Sequence, residues 1–319
     1  MDENMNKAAS ITLNSCLKLK KTETLLIITD RKKKKIAKEI YYAAFYKCRN
    51  SMLVTIPEAE VSGEEPPAIV AEVMKKYDVI IAPTSKSITH TNAISDAMKK
   101  GARVASLPGI TEGAFKRGLT SDYTGISITT RKLASMIMKS KRIRIITSAG
   151  TDIRAEVSKD YLVFYDDGLI TKKGSRGNLP AGEAFFVPKY KKTQGTFVVD
   201  ASFGIEGKVD KPVKVTVKDG YAVRIQGGKT AAELRKILKK CGKNAYNIAE
   251  VGIGTNPYSR ISGIVLEDEK VLGTAHIALG NSKGMGGPTY APCHLDGVFR
   301  KPTIYLDDRI VMDKGKLVI

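Results

Sequence analysis

The first half of the chain alternates short, continuously apolar runs with stretches whose apolar residues recur at helical spacing. The apolar runs cover residues 25–30, 51–56, 78–83 and 103–107. Strands that are apolar at every position are typical of a parallel sheet covered on both faces, and the helical stretches between them supply the crossovers that parallel strands need. This alternation predicts a three-layer α/β domain with a mostly parallel sheet over residues 1–141.

The sequence pattern changes after about residue 141, where apolar segments become short, rich in β-branched residues and separated by turns. Such segments cover residues 162–165, 196–201, 213–217 and 221–225. Asp219-Gly220 lies between the last two and is a strong signal for a tight hairpin turn. One helix, near residues 230–240, interrupts the strands. The pattern predicts a second domain, residues 142–319, of β-rich α+β type.

Composition excludes several classes of protein. No apolar run approaches the roughly 18 residues that a membrane span needs, and the first residues lack the pattern of a signal peptide, so we expect a cytoplasmic protein without membrane association. The chain contains 4 cysteines. They are widely spaced without a CxxC pair, which predicts free thiols rather than disulfides or a thiolate zinc site.

The chain is strongly basic, with 53 Lys and Arg against 33 Asp and Glu and a formal net charge of +20. The basic residues are spread along the whole length, and aromatic residues do not interleave with them as a stacking platform for nucleic acid requires. We therefore do not expect nucleic acid to be the main partner. No GxGxxG or Walker loop follows the first strand, which removes the usual signatures of a nucleotide site.

Five residues in the second half have side chains suited to metal binding: Glu183, Glu250, His276, His294 and Asp296. In the segment His294-Leu295-Asp296, an extended backbone points both polar side chains to one face, because strand side chains alternate with a period of two. A set of imidazole nitrogens and carboxylate oxygens suits zinc, cobalt, manganese or iron better than calcium.

Each of these residues also has an ordinary structural explanation. Glu183 and Glu250 fit edge-strand carboxylates that face water, His276 fits a hydrogen-bonded core histidine, and His294-Leu295-Asp296 fits a local turn. Against this, the apolar and glycine neighbours of both glutamates predict burial, where an unpaired carboxylate is costly. The chain has only 3 histidines, and two of them are in this set. From the residues alone, a metal site and these structural explanations both stay open.

The order and flanking residues of the set add a resemblance. Segments 179–185, 249–251, 276–280 and 294–296 resemble the ordered motif series of the aminopeptidase T and aminopeptidase S family of metallopeptidases. The resemblance implies that Glu183, Glu250, His276, His294 and Asp296 hold two divalent ions (Zn, Co or Mn), with one glutamate bridging. It further implies an aminopeptidase-like hydrolase that cleaves peptides with a metal-activated water and forms a homodimer.

One position departs from this family pattern. The family carries a tyrosine seven residues after its first histidine, where this chain has Lys283. We expect Lys283 and Glu183 to act in catalysis, since a lysine is able to stabilise a developing oxyanion. The same resemblance extends to 2,5-dihydroxypyridine 5,6-dioxygenase, in which two histidines and an aspartate hold one iron(II). A ring-cleaving dioxygenase is therefore an alternative to the hydrolase, and a non-catalytic basic binding protein with a degenerate site is a third.

Overall fold

The computed structural model describes residues 2–48, 50–119, 122–205 and 207–319. The α-helices, in chain order, are α1 (Glu3–Ile11), α2 (Lys34–Phe45), α3 (Ala68–Met74), α4 (Asn92–Lys99), α5 (Glu112–Gly118), α6 (Tyr123–Lys139), α7 (Lys229–Cys241) and α8 (Val265–Asp268). The strands are β1 (Leu25–Thr29), β2 (Ser51–Thr55), β3 (Val79–Ala82), β4 (Arg103–Ser106), β5 (Arg142–Ile146), β6 (Asp152–Val157), β7 (Val163–Asp166), β8 (Arg176–Asn178), β9 (Glu183–Phe186), β10 (Pro188–Val199), β11 (Ser202–Phe203), β12 (Val213–Lys218), β13 (Tyr221–Gln226), β14 (Ile248–Gly254), β15 (Thr274–Gly280), β16 (His294–Arg300), β17 (Thr303–Leu306), β18 (Arg309–Asp313) and β19 (Lys316–Leu317). Among the described residues, no helix combines the length and the apolar composition that crossing a membrane requires.

The first compact unit comprises residues 1–127 and 166–181. Its sheet has the order β2-β1-β3-β4-β8, and every described pairing in it is parallel. The step from β1 to β2 and the step from β2 back past β1 to β3 run in opposite directions along the sheet. Right-handed crossovers therefore place α2 and α3 on opposite faces, which gives the three-layer arrangement expected from sequence.

The fifth strand of this sheet, β8, comes from far along the chain. Residues 128–165 belong to the second unit, and the chain then returns so that β8 pairs with β4. The division thus differs from the single expected boundary near residue 141. Periodicity gave no sign of this return, because β8 is short and its sequence, Arg-Gly-Asn, has no β-branched or apolar pattern.

The second unit comprises residues 128–165 and 182–319 and contains two antiparallel sheets. One has eight strands in the order β13-β12-β10-β6-β5-β17-β18-β19, and the other has six in the order β11-β16-β15-β14-β9-β7. One apolar cluster joins the two sheets and helices α6 and α7. Its members include Leu133, Ile145, Phe186, Phe197, Val215, Leu234, Val251, Ile277 and Phe299. The sheets therefore share a core, with each strand presenting alternate residues to it.

The hairpin prediction and the fold class are both confirmed. β12 and β13 pair so that Lys218 is opposite Tyr221, and the two residues between them have φ of 49° (Asp219) and 73° (Gly220). Positive φ at both central positions is the signature of a type I′ turn. The whole is a two-domain α/β protein with a parallel sheet and large antiparallel sheets.

Candidate metal centre

The candidate site lies on one face of three adjacent strands, β14, β15 and β16. Glu250 of β14 is directly opposite Ala278 of β15, and Ala278 is directly opposite Asp296 of β16. Side chains at opposed positions of neighbouring strands project to the same face. The two carboxylates therefore flank Ala278, whose single methyl group leaves room between them.

Both predicted histidines project to this same face. His276 precedes Ala278 by two positions and His294 precedes Asp296 by two positions, and strand side chains alternate with a period of two. The alternate residues of these strands face the core: Val251, Ile253, Ile277, Leu279, Leu295 and Phe299. The strands thus separate an apolar face from a face rich in nitrogen and oxygen donors.

The imidazole rings converge on the Glu250 carboxylate. His276 Nε2 is 3.2 Å from Glu250 Oε1, and His294 Nε2 is 3.3 Å from Glu250 Oε2. His294 Nε2 also lies 3.5 Å from Asp296 Oδ1. The side chain of His276 is fully buried, whereas that of His294 is 32% exposed and that of Asp296 is 16% exposed. The donor cluster is therefore buried at His276 and partly exposed at His294 and Asp296.

Glu183 joins the cluster from β9, the next strand of the same sheet. It is opposite Gly254 of β14, and its Oε2 is 3.4 Å from His276 Nε2. The structure thus brings together all five residues predicted as ligands. Glu183 Oε2 and His276 Nδ1 are buried atoms without a hydrogen-bond partner among the described residues, which is costly unless something else occupies the site.

Two residues of the cluster escaped the sequence analysis. Lys270 Nζ is 2.6 Å from Glu183 Oε1 and 2.7 Å from Glu269 Oε1, and the Lys270 side chain is fully buried. These residues follow the short helix α8 in a charged segment that reads as an ordinary exposed turn. Nothing in the local pattern distinguishes Lys270 from the many exposed lysines of this chain.

A sequence signal did exist in β14, where glycine occupies alternate positions 252 and 254. Gly252 is directly opposite His276, and a Cβ on it would lie 2.0 Å from His276 Nε2. A Cβ on Gly254 would lie 2.2 Å from the Val271 carbonyl oxygen. Glycine inside a strand marks a close approach by another group, and here it makes space for the imidazole ring.

The structure does not place Lys283 with these residues. Lys283 begins an exposed 3-10 turn, Lys283–Met285, and its backbone N–H donates to Asn281 Oδ1 and to the Thr289 carbonyl oxygen. Among the residues that the structure describes, no hydrogen bond or ion pair joins the Lys283 side chain to the cluster. The buried cation next to the donors is Lys270, and it comes from a different loop.

The cluster perturbs its own proton equilibria. Burial disfavours the charged form of Glu250, but hydrogen bonds from His276 and His294 outweigh burial and hold the pKa of the Glu250 carboxyl well below its usual value. Burial also works against protonation of His276, yet Glu250 and Glu183 raise the pKa of its imidazole to about 9. The pKa of His294 is likewise raised, because Asp296 and Glu250 outweigh burial.

Burial has the opposite outcome at the other end of the cluster. It raises the pKa of Glu183 to about 8, although the Lys270 ammonium works to lower that pKa. The pKa of Glu269 is also raised by burial. Protons and one ammonium group thus compensate the buried carboxylates, and a bound cation would take over that role.

The donor set fits a divalent metal ion. Atoms of Glu250, His276 and Asp296 lie within 4.8 Å of one another, and so do atoms of Glu183, Glu269 and His276. His294 Nδ1 is 2.8 Å from the Asn281 carbonyl oxygen, to which it donates. This bond fixes the ring orientation and points Nε2, which carries a proton in the metal-free centre, at the carboxylates. Loss of that proton would leave a lone pair for a metal ion, an arrangement common among metal-binding histidines.

Comparison with known proteins identifies the family. The family model for 2,5-dihydroxypyridine 5,6-dioxygenase (NicX) matches residues 4–319. A curated relative, 2,5-dihydroxypyridine 5,6-dioxygenase of Pseudomonas putida KT2440, is 24% identical over 197 residues. That alignment covers 58% of this chain and 56% of the relative, so the chain spans little more than half the length of the curated relative it matches.

Two solved structures share the fold. The 2,5-dihydroxypyridine dioxygenase of Pseudomonas putida KT2440 has a TM-score of 0.84 at 18% identity, covering 100% of this chain and 98% of that one. AmpT from Thermus thermophilus has a TM-score of 0.75 at 14% identity, covering 99% of each chain. At these identities, the likeness shows a common fold and no more.

These findings correct the peptidase interpretation. The resemblance to aminopeptidase T reflects a shared fold, but the family model and the curated relative are both dioxygenases, so the expected hydrolase, aminopeptidase and protease assignment is wrong. The pair of Zn, Co or Mn ions was expected only as part of that interpretation. The family is one of enzymes, which also argues against a purely non-catalytic binding protein. With the match extending over residues 4–319, the chain belongs to the 2,5-dihydroxypyridine 5,6-dioxygenase family.

Proposed function

We propose that this chain is an iron(II)-dependent dioxygenase that opens the ring of a dihydroxylated aromatic compound. The observation that carries the proposal is the convergence of His276, His294 and Asp296 on one strand face of a chain that belongs to this family. Two histidines and one carboxylate with open positions beside them are the ligand set that non-haem iron(II) oxygenases use. The proposed ligand atoms are the Nε2 atoms of both histidines and a carboxylate oxygen of Asp296.

Glu250 supports this set from the centre. Its two carboxylate oxygens lie 3.2 Å and 3.3 Å from the Nε2 atoms of His276 and His294. One carboxylate thus sets the spacing of both rings, and it is placed either to add a ligand atom or to hold a proton shared with a ring. The pKa of Glu250 is lowered, which keeps the carboxylate ionised for this task.

The exposure of the side chains indicates the direction from which a substrate would enter. His276 is fully buried, whereas His294 and Asp296 keep 32% and 16% of their side-chain surface exposed. A planar ring with two hydroxyl groups would therefore approach past His294 and Asp296. Bound iron(II) would supply the positions at which dioxygen and an ionised substrate hydroxyl meet.

The substrate class follows from the family and from the chemistry of the pocket. The curated relative is named for 2,5-dihydroxypyridine. The pKa values of His276 and His294 are raised by the neighbouring carboxylates, whose negative charge favours a metal cation at this site. A hydroxylated pyridine or benzene ring is acidic enough to bind as its anion, and ring opening would place both atoms of dioxygen in the product.

The test is oxygen consumption by protein loaded with Fe²⁺ under anaerobic conditions and then mixed with aerated 2,5-dihydroxypyridine or a panel of dihydroxybenzenes. We expect substrate-dependent oxygen uptake that matches loss of the aromatic absorbance. His294→Ala should lower iron affinity and oxygen uptake by at least about 100-fold. Mutation of a residue that only hydrogen-bonds a metal ligand already lowers metal affinity or activity by about 10- to 100-fold.

His90→Ala is the matched control, because His90 is the remaining histidine and lies in the first unit. It should retain the iron content and oxygen uptake of the unmodified protein. Iron-loaded protein that consumes no oxygen with any member of the panel would contradict the proposed function. Equal iron content in the two variants would contradict the assignment of His294 as a ligand.

A further inference from the structure

Lys270 places its amino group beside the carboxylates of the candidate metal centre. Its Nζ lies 2.6 Å from Glu183 Oε1 and 2.7 Å from Glu269 Oε1. The exposed fractions of the three side chains are 0% for Lys270, 7% for Glu183 and 12% for Glu269. A buried ammonium group is tolerated only when carboxylates pair with it, and both of these carboxylates point at it.

The same two carboxylates belong to a group with metal-binding geometry. One atom each from Glu183, Glu269 and His276 lie within 4.8 Å of one another, as do atoms from Glu250, Asp296 and His276. The site therefore contains two donor groups that share His276. Lys270 donates to both carboxylates of the first group, whereas Glu250 and Asp296 face the imidazole rings of His276 and His294.

We propose that Lys270 is a fixed cation that takes the place of a second metal ion and so limits this centre to one. The inference rests on the proposed function, since it assumes that the group of Glu250, His276, His294 and Asp296 holds a metal ion. An ammonium group and a divalent ion compete for the same carboxylate oxygens, because both are cations that bind within hydrogen-bond or ligand distance. With Lys270 in place, Glu183 and Glu269 neutralise the lysine rather than coordinate a metal.

This role has a chemical consequence for the reaction. Two metal ions that share a carboxylate are suited to activate water for hydrolysis, whereas one iron with open positions is suited to oxygen chemistry. Lys270 would therefore select between these two chemistries on a fold able to place both donor groups. Glu183 would act as a positioning residue, holding Lys270 and facing His276, rather than as a ligand of the bound ion.

The experiment counts metal ions per chain. Metal-free full-length protein is titrated anaerobically with Co²⁺, followed by its visible absorption and by calorimetry, and the Co²⁺ content is measured by elemental analysis after gel filtration. We expect one Co²⁺ per chain for the unmodified protein, two for Lys270→Met, and one for Lys270→Arg, which keeps the charge. Two ions in the unmodified protein, or a single ion in folded Lys270→Met, would overturn the proposal.

A second variant covers the case in which Lys270→Met fails to fold, since that change leaves two buried carboxylates without a partner. Glu183→Gln keeps Lys270 paired with Glu269. If Glu183 serves Lys270, this variant binds its one Co²⁺ with a Kd within about threefold of the unmodified protein. If Glu183 is instead a metal ligand, the Kd rises by about tenfold or more, and the proposal is wrong.

The outcomes separate this proposal from the proposed function. Protein that binds one Co²⁺ and gains a second in Lys270→Met, but consumes no oxygen when loaded with iron, supports the role of Lys270 and contradicts the dioxygenase. Protein that consumes oxygen, but binds a single ion in Lys270→Met, supports the dioxygenase and contradicts the role of Lys270. Protein that binds no Co²⁺ contradicts both.

Discussion

At the scale of single residues, the centre requires a glycine opposite His276 as well as the donor side chains. His276 is fully buried with its ring over β14, and the residue directly opposite is Gly252. A Cβ at this position would lie 2.0 Å from Nε2 and 2.2 Å from Cε1 of the ring. These distances are shorter than any non-bonded contact, so any larger residue would displace the imidazole from the carboxylates.

We therefore predict that Gly252→Ala lowers metal affinity by about 10- to 100-fold, the range seen when the support of a metal ligand is disturbed. It should also reduce the free energy of unfolding by about 1–3 kcal/mol through overpacking. Gly284→Ala is the matched control, because nothing lies within 4 Å of a Cβ there. Metal titration and denaturant unfolding measure both effects, and equal affinity in the two variants would refute the steric argument.

At the scale of elements, helix α7 receives its N-terminal cap from a distant residue. The preceding residue, Gly228, has no side chain to cap the helix. Asp210 replaces it, accepting from Lys229 N–H at 2.8 Å and from Thr230 N–H at 2.9 Å. Bonds from the Thr230 and Lys229 backbone lower the pKa of the Asp210 carboxyl. The ionised carboxylate also complements the positive end of the helix dipole.

This cap predicts a pH-dependent contribution to stability. A lowered folded-state pKa means that the contribution is fully present above the unfolded value, near 3.8, and is lost as the pH falls through the lower folded value. Asp210→Ala should lower the melting temperature at pH 7, and the difference from the unmodified protein should shrink below about pH 4. Asp308→Ala is the control, since Asp308 is 93% exposed in a surface ion pair. A melting-temperature difference that does not vary with pH would exclude the charged cap.

At the scale of the whole molecule, the first unit is discontinuous in sequence. Residues 166–181 belong to it, although residues 128–165 before them belong to the second unit. Arg103, at the start of β4, hydrogen-bonds to segment 166–181. Its guanidinium donates to the carbonyl oxygens of Leu17 and of Ile170, the latter at 3.0 Å, and pairs with Glu23 at 2.7 Å. Only 4% of Arg103 is exposed, so one buried side chain joins three parts of the sequence.

We predict that Arg103→Met reduces the free energy of unfolding by about 3–5 kcal/mol, because it removes the ion pair with Glu23 and takes the guanidinium donor from two buried carbonyl groups. Arg31→Met, at an exposed arginine of the same unit, should change it by less than about 0.5 kcal/mol. Equilibrium denaturation of both variants measures the difference. A small effect of Arg103→Met would mean that β8 is held by strand pairing alone.

Several expectations about the whole protein stay predictions. They are the homodimer, the cytoplasmic location and the absence of nucleic acid as the main partner. The peptide substrate was expected only together with the peptidase interpretation, which family membership replaces. Light scattering on the purified protein measures the first of these directly.

The sequence by itself indicated a parallel and an antiparallel part, and it singled out the five residues that the structure brings together. Apolar periodicity reports which face of an element is buried, and the period of two places His294 and Asp296 side by side. Only the tertiary structure decided which residues from distant parts of the chain contact those faces. Lys270 reaches Glu183 across 87 positions of sequence, and no local pattern records a contact of that range. For the same reason, the cationic residue expected at the site, Lys283, is on an exposed turn, while a lysine with no distinguishing neighbours is at the centre.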